Sequence, residues 1–167
     1  MHEKARSLIL LFKKIKYSML INIDPLLSPG LLSILRSMGH GDYLAICDAN
    51  FPAASLAKRL IRIDGADIKR TTKAILSVFP LDSFIEYPVT RMEVDGKPDV
   101  INDVHKEFIE TVKNTAGSNW KIGSMERSKF YQRAKDSFAI IVTTDQRPYG
   151  CFMMTKGVVK PDGSVWI

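Results

Sequence analysis

The chain has only two cysteines, Cys47 and Cys151, and only three histidines in 167 residues. Two thiols in apolar stretches, with no regular spacing, make no disulfide framework; they predict free thiols and a reducing compartment, the cytoplasm. Long hydrophobic runs are also missing. The run Leu8–Phe12 falls far short of the roughly 20 residues that a membrane-spanning helix needs, and no small-residue cleavage pattern follows it. A soluble intracellular protein with no membrane partner is expected. The spacings of a metal site, a G-x-S-x-G elbow, a phosphate-cradling glycine loop and a dinucleotide fingerprint are absent as well. Metal, nucleotide and acyl-enzyme chemistry are disfavoured on that ground, and neither a cofactor nor a metal is expected.

Positive charge is plentiful only at one end. Of the net +6, residues 1–18 account for four, with five basic residues against Glu3. In the rest of the chain Lys and Arg alternate with Asp and Glu, and no basic stripe carries aromatics at regular spacing. The electrostatic footprint of a nucleic-acid binder is therefore lacking, and no nucleic-acid partner is expected.

What is present is an apolar content of 46%, enough for one domain with a sizeable core, and an alternation of helical and extended patterns. "SPGLLSILRSMG" predicts a helix with Ser28 as N-cap and Pro29 in the first turn, ending at Gly39. "YLAIC" reads as a buried strand, residues 53–58 as a short helical piece, and "LIRI" as a second strand. "ADIKRTTKAILSVF" returns to helical spacing. "SFIEYPVTRMEV" reads as extended, with Pro88 favouring an edge or a bulge. A helix opening at Pro98-Asp99 places Val100, Val104, Phe108 and Val112 on one face, which puts His105 towards solvent. "WKIGSM" leads into a helix from Glu126 to about Asp136, and "FAIIVTTD" and "CFMMTKGVV" close the chain as strands. The order predicts an α/β domain, a sheet with helices on its faces and a ligand beyond the carboxyl ends of the strands.

Asp48 directly follows "YLAIC", where a carboxylate emerges at a strand end; capping the turn "DAN" explains it equally well. His40 lies between Gly39 and Gly41, either as a proton-transfer group or as a surface residue of a helix-stop loop. One imidazole, a few carboxylates and several tyrosines suit proton movement and the holding of a polyol by hydrogen bonds.

"SPGLLSILRSMGHGD", "DANFP", "IRIDG", "PLDSF", "ERSKFYQRAKDSFAIIVTT" and "YGCFMMTKGV" occur in the order and spacing of the RbsD/FucU family of sugar mutarotases, which residues 19–159 resemble. DANFP and the FYxRA segment resemble the FucU branch, the L-fucose mutarotases, more than the D-ribose pyranases. The resemblance implies a single-domain layered sandwich, a mixed sheet flanked by helices, spanning residues 19–167. It also implies cofactor-free interconversion of the anomers of a free monosaccharide, inside a ring-shaped homo-oligomer, commonly a decamer, with the pocket near subunit contacts. By resemblance His40 is the catalytic proton donor. Asp48, Asp82, Arg127, Tyr131, Tyr149 and Cys151 are the sugar-contacting positions. Ordinary roles also fit some of them: Tyr131 as a core residue, Asp82 as a turn cap, and Arg127 as a solvated helix-start residue.

The sequence departs from the family at Cys151, where the family commonly has Asn. A thiol is a weaker hydrogen-bonding group, so sugar preference at that position is expected to differ if the side chain reads a hydroxyl. D-ribose pyranase activity and sugar binding without turnover are the alternatives carried forward. Residues 1–18 lie outside the resemblance and read as a disordered or dispensable extension.

Overall fold

The structure is a computed structural model that describes residues 19–167; the extension 1–18 lies outside the described residues. Ser28 starts the first helix of the described residues by accepting from the Leu31 amide at 3.3 Å, and Pro29 supplies a preset first turn. This helix, α1 (Pro29–Ser37), buries Leu31 and Leu35 and gives way to strand β1 (Tyr43–Cys47). There follow α2 (Ala53–Leu56), β2 (Leu60–Ile63), α3 (Ile68–Leu76), β3 (Val89–Met92), α4 (Asp103–Ala116), β4 (Ile122–Met125), α5 (Arg127–Asp136), β5 (Ala139–Thr143) and β6 (Phe152–Thr155).

The strands form one six-stranded sheet in the order β2-β5-β1-β6-β3-β4. β1 pairs parallel with β5 and antiparallel with β6, and β6 also runs antiparallel to β3, so the sheet is mixed. Its two faces follow the period of two in β1. Leu44 and Ile46 face a core shared with Leu31, Leu35, Ile75 and Phe108 from α1, α3 and α4; Ala45 and Cys47 face a second core with Phe130 and Ala134 from α5. This is the α/β sandwich that the alternation predicts. No helix among the described residues is long and apolar enough to cross a membrane.

Three sequence expectations are corrected. The helix expected from Pro98 begins at Asp103, where the Asn102 side chain caps it by accepting from the His105 amide at 3.0 Å. Val100 is thus outside the helix and exposed, and the buried face is Val104, His105, Phe108 and Val112; His105 is 0% exposed. Its i, i+3, i+7 spacing with Phe108 and Val112 puts it on the core side. Extended structure in "SFIEYPVTRMEV" is limited to Val89–Met92, which lies inside the sheet between β6 and β4 and not at an edge. Pro88 is accommodated because it stands just ahead of the strand, where its carbonyl accepts from the Thr155 amide at 2.8 Å. β5 and β6, the two closing strands, flank β1 on opposite sides.

Candidate functional site

The candidate residues fall into two groups at opposite ends of β1. The first belongs to the turn before the strand. Gly39 donates its amide to Asp42 Oδ2 at 2.7 Å, and Gly41, at φ 83°, donates to the Lys156 carbonyl at 2.9 Å. That left-handed backbone is why the second glycine of "GHG" is a glycine. Held in this turn, His40 places Nε2 3.1 Å from Asp82 Oδ1.

Asp82 is buried, with its side chain 3% exposed against 49% for that of His40. Its amide donates to the Thr155 carbonyl at 3.1 Å, and Oδ1 also accepts from the Phe84 amide at 3.0 Å, so the carboxylate is fixed before it meets the imidazole. Gly157 makes this approach feasible: a β-carbon there would lie 2.2 Å from the Leu81 carbonyl oxygen. The Phe84 ring flanks the imidazole at 5.3 Å between centroids. The result is a half-exposed imidazole backed by a buried carboxylate, an arrangement that fixes the orientation of the ring.

The second group surrounds the carboxyl end of β1. Asp48 is buried; its Oδ1 accepts from the Asn50 amide at 2.9 Å, and the Cys151 thiol donates to Oδ2 at 3.5 Å. Burial pushes its carboxyl above the ordinary value, against the pull of donors from Asn50, Cys151 and Gly150. Cys151 is itself buried beside Cys47, and its thiol is pushed well up by desolvation first and by those neighbours second. Tyr131, half-buried on α5, packs its ring 4.9 Å from that of Phe51, and burial raises its hydroxyl. Arg127 opens α5 and is exposed; with Leu56, Ser128 and Tyr131 it lines an open cleft of about 460 Å³. Its charge reaches both Tyr131 and Tyr149. Tyr149, at φ 62°, donates its hydroxyl to Asp95, and that bond raises its hydroxyl above the ordinary tyrosine value.

Thus one chain brings His40 to Asp82, and brings Asp48, Cys151, Tyr131, Tyr149 and Arg127 to another place. It does not bring the two groups together. Tyr43 is opposite Thr155 and Ile46 opposite Phe152, so the length of β1, roughly 13 Å, lies between them. Three residues around the second group were not singled out from sequence. Asp95 takes the Tyr149 hydroxyl, Asn102 donates to the Pro148 carbonyl at 3.0 Å, and His105 Nε2 lies 3.0 Å from the Tyr149 carbonyl oxygen. Only His105 left a signal, its shared face with Phe108 and Val112.

The domain is thus a mixed α/β sandwich with an imidazole–carboxylate pair at one end of a strand and a carboxylate–tyrosine cluster at the other. Comparison with known proteins places it further. The RbsD / FucU transport protein family matches residues 21–159. An L-fucose mutarotase of Histophilus somni is 36% identical over 140 residues, covering 84% of this chain and 97% of that protein. The crystal structure of the fucose mutarotase from Streptococcus pneumoniae in complex with L-fucose superposes with a TM-score of 0.78 at 35% identity, covering 84% of this chain and 100% of that one. Bacillus subtilis RbsD complexed with D-ribose shares the fold, with a TM-score of 0.64 at 22% identity over 80% of this chain and 95% of that one. The chain belongs to the RbsD/FucU family.

Proposed function

We propose that this protein is a sugar mutarotase that interconverts the α and β anomers of a free monosaccharide, L-fucose above all, by acid–base catalysis at His40. The observation that carries this reading is the likeness to L-fucose mutarotases over nearly the whole described chain, together with an imidazole backed by a buried carboxylate.

Anomer exchange needs a proton removed from the anomeric hydroxyl and one delivered to the ring oxygen as the ring opens, and the reverse on the other face. An imidazole serves both directions near neutral pH without a covalent intermediate. Asp82, fixed by the Phe84 and Thr155 backbone, holds Nε2–H, which leaves Nδ1 to exchange a proton with the sugar. Asp48 accepts from sugar hydroxyls, Arg127, Tyr131 and Tyr149 donate to sugar oxygens, and the thiol of Cys151 stands in this wall.

The separation of the two groups supports a site completed between copies, His40 and Asp82 from one and the Asp48 group from its neighbour. The exposed Phe84 against the His40 ring, and the exposed Trp166 against Phe84, support the same reading, since large apolar side chains clustered at a surface mark contacts. We infer the ring-shaped homodecamer that the family resemblance implies. Buried free thiols support the cytoplasm as its compartment. Residues 19–167 form the mutarotase domain and residues 1–18 a dispensable extension.

Saturation-transfer NMR on L-fucose and D-ribose tests the reading. The expected result is protein-dependent transfer between the α and β H1 signals of L-fucose, lowered roughly 10²- to 10⁴-fold in His40→Ala. No transfer with either sugar, or an unimpaired variant, overturns it. Pyranose–furanose exchange of D-ribose alone makes the protein a pyranase, and saturable binding without transfer makes it a binding protein.

A further inference from the structure

The turn that carries Tyr149 and Cys151 is not one its local sequence favours. Tyr149 sits in the left-handed region at φ 62°, where a β-carbon is disfavoured, so surrounding contacts must hold it. We propose that His105 is a positioning residue that holds this turn and, through the Tyr149–Gly150 peptide, sets Gly150 and the Cys151 thiol against Asp48. This rests on the reading of Asp48 and Tyr149 as sugar-binding residues.

His105 is wholly buried on α4, with Nε2 3.0 Å from the Tyr149 carbonyl oxygen. A carbonyl only accepts, so Nε2 carries the proton. Nδ1 then bears a lone pair and has no hydrogen-bond partner among the described residues, while the ring lies edge-on to Phe152 at 5.7 Å. Packing alone would be served better by an apolar side chain that strands no polar atom, so the histidine is explained by the bond it donates. Burial first, and the charge of Arg91 on β3, both oppose a second proton and keep the ring neutral in that tautomer.

The bond matters because of what lies across the peptide. In a planar trans peptide C=O and N–H point in opposite directions, so a donor fixed on the Tyr149 carbonyl fixes the aim of the Gly150 amide. Gly150 packs against Asp48, and the weak thiol of Cys151 that follows it donates to Asp48 Oδ2 at 3.5 Å, beside the Asn50 amide on Oδ1 at 2.9 Å. The approach is close: a β-carbon on Gly150 would sit 3.2 Å from both the Asp48 β-carbon and the Arg147 carbonyl oxygen. A buried carboxylate depends on such donors, and rotation of this one peptide carries Gly150 and the Cys151 thiol away from it. The same stretch of chain braces the turn twice more, through Asn102 on the Pro148 carbonyl and Asp95 on the Tyr149 hydroxyl. Arg147, just ahead, is anchored by Asp145 at 2.6 Å and by Glu107 of α4 at 2.8 Å.

The test compares His105→Phe, which fills the space without donating, with His105→Gln, whose amide donates at the same reach. KM and kcat for L-fucose anomer exchange, and hydrogen exchange of the Gly150 amide in sugar-free protein, are measured for each. In H105F the expected result is a KM raised about tenfold with kcat within about twofold, and faster Gly150 exchange, with H105Q recovering most of both. An H105F protein with wild-type KM and Gly150 protection overturns the proposal, as does H105Q as impaired as H105F, which marks a packing role. Should H105F fail to fold, His105→Leu takes its place with the same two outcomes. If wild-type protein exchanges no sugar, the functional reading fails by itself; the Gly150 amide, exposed in H105F and protected in H105Q, still decides the role of His105.

Discussion

His40 is oriented by the carboxylate of Asp82, 3.1 Å from Nε2. With Asp82 fixed by two backbone hydrogen bonds, exchange of that carboxylate for an amide leaves the turn in place and removes its charge. Asp82→Asn is expected to slow L-fucose exchange roughly tenfold to a hundredfold, less than loss of the imidazole, with sugar affinity little changed in a titration. Asp48 predicts the opposite pairing of effects. Burial raises its carboxyl above the unfolded value, so the folded state binds more protons there; that favourable contribution is present in acid and is lost as pH rises through the raised folded value. At pH 7 the buried charge is a cost. Asp48→Asn should therefore unfold at the same or a higher temperature than wild type at pH 7 while losing L-fucose affinity, as thermal scans and titration will read. His105 runs the other way, because its folded value is depressed below the ordinary 6.5. The unfolded chain takes up a proton at 6.5 that the folded chain refuses, so stability falls as pH drops below 6.5. His105→Gln should flatten that part of the stability–pH curve.

At the scale of elements, the site depends on two glycines: Gly41, whose left-handed backbone shapes the turn of His40, and Gly157, where the chain passes close to Leu81 and Asp82. At Gly157 a β-carbon would lie 2.2 Å from the Leu81 carbonyl oxygen and 2.9 Å from the Asp82 amide. Gly157→Ala is therefore expected to cost about 2 kcal/mol in denaturant unfolding and to lower the exchange rate, because relief pushes Asp82 from His40. Such packing is not visible in sequence, where "TKGVV" is only the end of a strand. The elements themselves were legible: Ser28 and Pro29 announced α1, and the apolar run of β1 set the centre of the sheet. The start of α4 was not, because Pro98-Asp99 offered turn chemistry ahead of the cap that Asn102 makes, and that shift misplaced His105. Pro88 misled for a similar reason: its missing amide matters inside a strand, and it stands just before one. Motif likeness singled out His40, Asp48 and Asp82, yet only the fold separates them by the length of β1.

At the scale of the whole molecule, the proposed site draws His40 and Asp48 from neighbouring copies, and on that reading assembly is part of the chemistry. A charge placed on the apolar surface that Phe84 and Trp166 form beside His40, as in Trp166→Glu, should shift the protein towards smaller species in light scattering and reduce exchange in step, while a monomer retaining full exchange would argue for a site complete in one chain. Removal of residues 2–18 should leave both size and exchange unchanged. The most direct measurement mixes two inactive proteins, His40→Ala and Asp48→Asn, unfolded and refolded together and assayed by saturation transfer on L-fucose. A site shared between neighbours predicts recovery to about a quarter of the wild-type rate, the share of contacts that pair an intact His40 with an intact Asp48. No recovery above that of the separate variants contradicts it.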